Sequence, residues 1–99
     1  MMLSWFDASE AKKFGELLAR FFLERIPLAS QLGDKAFTLK ADKVLFKMDG
    51  QIARFKQSNN LNTYKKAQLG NAFKWALRDA GVSTDYADKL TNWLMLQLK

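Results

Sequence analysis

The fold of this chain is decided by residues 35–57, whose sequence is KAFTLKADKVLFKMDGQIARFKQ. The main apolar side chains of this segment recur at intervals of three and four residues, which places them along one side of a helix. They are Phe37, Ala41, Val44, Met48, Ile52 and Phe55. A helix with such a stripe has to bury it against other helices, so the segment predicts a helical bundle.

Residues 7–26 predict the first helix of that bundle. Its apolar positions also follow helical spacing, and they are Phe14, Leu18, Phe21 and Phe22. Asp7 followed three residues later by Glu10 predicts a capping box at the start, and Pro27 predicts the end. The outer side carries charged residues at four-residue intervals, namely Glu16, Arg20 and Glu24. We interpret that side as a solvated face that stabilises the helix.

Residues 63–80 and 84–98 predict the third and fourth helices. A capping side chain is expected before each, from Asn62 or Thr63 and from Ser83 or Thr84. Gly81 is placed to adopt the left-handed conformation that ends a helix. Because no alternating run of β-branched residues predicts a strand, we expect one all-α domain over residues 1–99, a compact bundle of four helices with short connections.

The composition argues against catalysis. The chain has no histidine and no cysteine, so it lacks the usual general base, the thiol nucleophile and the commonest transition-metal ligands. We therefore expect a non-enzymatic protein without cofactor or metal. We also expect no transmembrane segment, no secretory signal and a cytoplasmic location, because no long apolar run occurs and charged residues follow soon after the N-terminus.

The positive charge is concentrated in the middle of the chain. The formal net charge is +6, and residues 34–60 and 61–81 each contribute about +3 of it. One set of basic side chains predicts a contact with anions or nucleic acid: Lys40, Lys43, Lys47, Arg54, Lys65 and Lys66. The first four lie on one flank of the second helix, where they can follow a phosphate backbone. The alternative is a solvated flank whose long side chains cover apolar surface.

The third helix carries the pattern that most favours binding. Opposite its apolar side lie residues that combine large aromatic area, charge and amide groups: Tyr64, Gln68, Asn71, Lys74, Trp75 and Arg78. Such side chains often dominate binding energy at protein interfaces. The prediction is a protein-binding module that uses this face. The alternative is that Trp75 and Tyr64 are core residues, or that Trp5 and Phe6 cover them.

A second apolar pattern predicts self-association. Leu39, Phe46 and Ala53 recur every seven residues on the back of the second helix, and Trp93 and Met95 belong to an apolar run in the fourth. A helix that is apolar on two sides needs two neighbours. A homodimer contact through Leu39, Phe46, Trp93 and Met95 would supply one, and the alternative is that the folded bundle supplies both.

The junction of the third and fourth helices resembles a DNA-reading helix-turn-helix. Residues of suitable type stand at Ala76, Ala80, Gly81, Val82, Ser83, Ala87 and Leu90. The chain departs from that motif because Leu77 replaces a small residue and because Asp85 and Asp88 would face phosphates. We interpret the junction as a helix–helix corner and prefer a protein partner, with nucleic-acid binding as the alternative function.

Overall fold

The computed structural model describes residues 7–26 and 35–99, and for residues 35–40 the backbone alone. The four helices are α1 Ser9–Arg25, α2 Lys35–Ser58, α3 Thr63–Asp79 and α4 Thr84–Leu98. The described residues contain no strand. The all-α prediction is confirmed, and every predicted helix boundary lies within two residues of the observed one. Three residues used in the predictions lie outside the described ranges: Trp5, Phe6 and Pro27.

The junction between α3 and α4 has the geometry that the sequence predicts. Gly81 has a φ of 99°, in the left-handed region. The Gly81 N–H donates to the Arg78 carbonyl at 2.9 Å, and the Val82 N–H donates to the Leu77 carbonyl at 3.0 Å. These bonds form a Schellman motif, and Val82 and Leu77 are both buried, which supplies its usual apolar contact. The corner is therefore fixed by backbone hydrogen bonds and by packing.

Side-chain caps begin α3 and α4 as expected. The Asn62 side chain accepts a hydrogen bond from the Lys65 N–H at 2.8 Å, and the Ser83 hydroxyl accepts one from the Tyr86 N–H at 3.3 Å. Each satisfies a backbone donor that has no partner within the helix. The capping residue is thus Asn62 for α3 and Ser83 for α4.

The capping box predicted at Asp7 and Glu10 is wrong. Helix α1 begins at Ser9, and the residue before it, Ala8, makes no side-chain cap. The Asp7 carboxylate instead accepts from the Ser9 hydroxyl at 2.7 Å and from the Ser9 N–H at 3.1 Å. This local turn competes with the capping geometry. The hydroxyl bond, then the N–H bond and the nearby charge of Lys65 hold the pKa of Asp7 below its usual range.

The core draws residues from all four helices. Its largest fully buried side chains are Leu18, Phe22, Ile26, Met48, Ile52, Leu69, Phe73, Leu77, Leu94 and Leu98. The apolar stripe predicted for α2 faces this core from Val44 to Ile52, with Ala41 also buried and Phe55 half-buried at its end. The Phe55 ring stacks on the Phe14 ring of α1 with 4.1 Å between centroids. The side chain of Phe37 lies outside the described part of the chain.

Helices α1 and α3 form the most extensive pair in the described structure. They meet at Gly15, where an added Cβ would lie 2.4 Å from the Leu69 carbonyl oxygen and 3.2 Å from the Cβ of Ala72. Near the ends of both helices, Leu23 of α1 and Ala80 line one groove between them. Because residues early in α1 lie beside the middle of α3 and residues late in α1 lie beside the end of α3, the two helices run side by side in the same direction. This pair positions the surface described next.

Candidate partner-binding surface

The Trp75 side chain is displayed at the surface of α3. The residue is 57% exposed, and Tyr64, about three turns earlier, is 38% exposed. Asn71 between them is also exposed, and Gln68 is half-buried. The core positions of α3, such as Phe73, lie on the other side of the helix and are fully buried. The solvent-facing orientation predicted for the two aromatic residues is therefore the one found.

A groove of about 610 Å³ lies between α1 and α3, and Trp75 lines it. We call it the indole groove. Besides the indole, its apolar lining consists of Leu23, Ala72, Ala76 and Ala80. Its charged lining consists of Glu16, Arg20, Glu24 and Asp79. Large apolar area with a few polar groups around it is the usual make-up of a protein's binding groove.

The charged side of α1 borders this surface, which its spacing alone does not predict. Glu16, Arg20 and Glu24 are exposed, as expected for a solvated face, but they also border the groove that holds Trp75. The connection follows from the close approach of α1 and α3 at Gly15. The spacing of Ala72, Ala76 and Ala80, a row of small residues beside Trp75, is the sequence signal that could have indicated it.

The indole groove is acidic although the protein is basic. Three carboxylates against one guanidinium give it a formal charge of −2, whereas the whole chain carries +6. Among the described residues, neither Glu16 nor Asp79 takes part in an ion pair. Glu24 lies 3.6 Å from Arg25, and its side chain is 63% exposed. The acidity is thus a local property of the α1–α3 pair and not a consequence of composition.

The two basic residues predicted for this binding face lie away from the groove. Lys74 Nζ is 2.9 Å from a carboxylate oxygen of Asp88 on α4, so Lys74 forms its ion pair within the protein. Arg78 is half-buried in the last turn of α3, where a cation interacts favourably with the helix dipole. The indole groove itself is therefore aromatic and acidic, and Lys74 and Arg78 of the predicted binding face do not line it.

A second groove, of about 570 Å³, lies between α1 and α2 and has the opposite charge. We call it the arginine groove. Its charged lining consists of Arg20, Arg25, Arg54 and Glu24, which gives a formal charge of +2. The Arg25 guanidinium lies 3.6 Å from the centroid of the Phe21 ring, in cation–π contact. Of the basic residues predicted on one flank of α2, Arg54 lines this groove.

The other predicted basic residues are dispersed. Lys43 and Lys47 are exposed on α2, while Lys65 and Lys66 are half-buried in the first turn of α3. The side chain of Lys40 lies outside the described part of the chain. Of the predicted basic residues, Lys43, Lys47 and Arg54 therefore lie on α2, whereas Lys65 and Lys66 lie on α3.

The residues predicted for self-association separate into two environments. Phe46 is 80% exposed, and it shares a shallow groove of about 350 Å³ with Trp93. We call it the Phe46 groove, and Asp42 and Asp49 also line it. Met95 lies elsewhere, since a Cβ at Gly70 would lie 2.7 Å from the Met95 sulfur, which places Met95 in the contact between α3 and α4. The side chain of Leu39 is outside the described residues.

No protein-family model, curated protein or solved structure matches the chain. Within residues 7–26 and 35–99, no helix combines the length and apolarity needed to cross a membrane. In the same ranges, no three acidic side chains are grouped so that they could hold a metal ion. The surface features described above are therefore the basis on which a function can be argued.

Proposed function

We propose that this protein is a non-enzymatic, cytoplasmic interaction module that binds a protein partner in the indole groove. The observation that supports it is the 57% exposure of Trp75 beside an apolar groove formed by two helices. A tryptophan left in water costs free energy that a partner recovers by covering it. Tryptophan is also one of the residues most enriched among those that dominate interface energies.

The groove supports a protein partner better than a nucleic acid. Its formal charge of −2 opposes phosphate groups, and Lys74 is already paired with Asp88. Its apolar lining is typical of the grooves that accept an amphipathic helix. Tyr64 and Asn71 extend the exposed face of α3 beyond the groove and would contact the rim of such a partner.

Nucleic-acid binding is the alternative, and the arginine groove with Lys43 and Lys47 favours it. Three guanidinium groups and two lysines on α1 and α2 would contact phosphates there. Binding of an oligonucleotide by such contacts should collapse between roughly 50 and 200 mM salt. A partner held by a covered indole should be much less sensitive to salt, so a salt titration separates the two functions.

The test compares Trp75→Ala with Leu96→Ala in quantitative affinity capture from native lysate. Leu96 is 60% exposed on α4 and does not line the groove, so it is a matched control for the loss of an exposed apolar side chain. We expect partners of the wild type to be depleted with Trp75→Ala and retained with Leu96→Ala. Equal capture by all three proteins would overturn the proposal. Thermal unfolding of each variant is the control for whether the fold is retained.

A further inference from the structure

We propose that the indole groove takes an apolar helical segment of a protein partner that carries one or two lysine or arginine residues, with a cationic side chain lying over the Trp75 indole. This inference rests on the proposed function and names the chemistry of its partner. It follows from the charge of the groove, the neighbouring Arg25–Phe21 contact and the shape of the groove floor.

Both helices contribute a carboxylate without an ion-pair partner among the described residues. Glu16 comes from α1 and Asp79 from α3, so the two negative charges flank the groove from opposite sides. A partner cation near either carboxylate gains Coulomb energy from it. An acidic segment in the same place would meet a net charge of −2.

The exposed indole provides a second attraction for the same kind of group. A lysine or arginine over an aromatic face is attracted by the ring, and tryptophan is the strongest such partner. The chain already makes this contact in the arginine groove, where Arg25 lies 3.6 Å from the centroid of the Phe21 ring. In the indole groove, the described residues include an exposed ring with carboxylates beside it, and the cation would come from the partner.

The net charge of the protein limits how basic the partner segment can be. A chain with a formal charge of +6 repels a strongly polybasic segment at long range, whereas the acidic groove acts at short range. A partner segment that is apolar apart from one or two cations is repelled little at long range and is still attracted by the acidic groove. The attraction is therefore local, and moderate salt should weaken it only partly.

The floor of the groove suits a helix. Ala72, Ala76 and Ala80 follow one another at four-residue intervals, so small side chains extend over about 12 Å of α3. Small residues let another helix approach closely, and the Trp75 side chain beside them offers a large apolar anchor. Glu16 and Glu24 span a similar length of α1 and border this floor.

The experiment uses three synthetic amphipathic peptides of about three helical turns. They share one apolar face and differ at two positions four residues apart, which are lysine in the basic peptide, glutamine in the neutral one and glutamate in the acidic one. Each is titrated into the 99-residue protein, and the backbone amide NMR shifts give both the dissociation constant and the helices that respond. We expect the basic peptide to shift amides of α1 and α3 and to bind about tenfold more tightly than the neutral peptide.

Variants then assign the effect to particular side chains. Glu16→Gln with Asp79→Asn should abolish the preference for the basic peptide, while Asp42→Asn with Asp49→Asn, in the Phe46 groove, should leave it unchanged. Trp75→Ala should lower the affinity for the basic peptide more than the affinities for the neutral and acidic peptides. An equal affinity for all three peptides, an absence of shifts in α1 and α3, or stronger binding of the acidic peptide there would each overturn the inference. If Trp75→Ala still depletes captured partners in those cases, the proposed function stands without it.

Discussion

Gly15 of α1 lies directly against the backbone of Leu69 in α3. A Cβ built on Gly15 would be 2.4 Å from the Leu69 carbonyl oxygen and 3.1 Å from the Phe73 nitrogen. Carbonyl and amide atoms of a helix cannot move aside as the end of a flexible side chain can. The close approach of α1 to α3 at Gly15 therefore depends on a missing side chain.

Gly15→Ala should destabilise the fold. The added methyl group forces the two helices apart, and overpacking of this kind costs about 1–3 kcal/mol in the free energy of unfolding. Gly50→Ala is the matched control, because a Cβ there meets only the Arg54 guanidinium at 3.9 Å, within α2. It should stabilise the protein by about 0.5–1 kcal/mol, since alanine is the better helix former. Denaturant unfolding measures both, and a Gly15→Ala protein as stable as the control would contradict the packing described.

The ion pair between Lys74 and Asp88 should contribute little to stability. Their side chains are 33% and 46% exposed, so water screens much of the attraction across the 2.9 Å contact. A double-mutant cycle with Lys74→Ala and Asp88→Ala should give a coupling of about 0.2–1 kcal/mol that falls as salt is added. A coupling of zero at low salt would contradict a stabilising interaction between Lys74 and Asp88. In that case Lys74 would be available to a partner, as the sequence predicts.

The helices were predictable because their signals are local. The apolar spacing of α2, the Asn62 and Ser83 caps and the left-handed Gly81 each depend on residues within one or two turns. The exposure of Trp75 was also predictable, since it follows from the angular position of the core residue Phe73 on the same helix.

The charge of the binding surface was not predictable in the same way. It depends on which helix packs beside Trp75, and that helix is α1, which approaches α3 closely at Gly15, some sixty residues earlier in the chain. Periodicity places Lys74 next to Trp75 on α3 but does not show that Asp88 of α4 pairs with it. Tertiary contacts thus make the groove beside Trp75 acidic, which the pattern of α3 alone does not predict.

Tyr86 should make stability fall at high pH. Burial raises the pKa of its phenol from 10.0 to about 12, and its ring packs near Phe22 with 6.1 Å between centroids. The folded state therefore holds this proton more tightly than the unfolded state does. The contribution of the protonated Tyr86 to the free energy of unfolding is fully present below pH 10.0 and is lost as the pH rises from there through about 12. We expect the unfolding free energy of Tyr86→Phe to fall less over this range, and parallel profiles would contradict the raised pKa.

Phe46→Ala should leave the folded monomer almost unchanged. The side chain is 80% exposed, so its removal should alter the free energy of unfolding by no more than about 0.5 kcal/mol. Phe22→Ala, which empties a fully buried position, should cost about 3–5 kcal/mol. Denaturant unfolding of the two variants tests this difference, and a large loss in Phe46→Ala would mean that another part of the chain covers Phe46 in solution.

The same variant tests the predicted homodimer. A two-fold contact places the same surface of both copies face to face, so Phe46 and Trp93 would meet their counterparts and the carboxylates of Asp42 and Asp49 would approach those of the second copy. The apolar contact favours association and the four carboxylates oppose it. Because salt screens the repulsion more than the apolar contact, we expect self-association to strengthen as salt is raised. Sedimentation equilibrium should show this for the wild type and a weaker effect for Phe46→Ala, whereas identical behaviour of the two proteins would exclude Phe46 from any such contact.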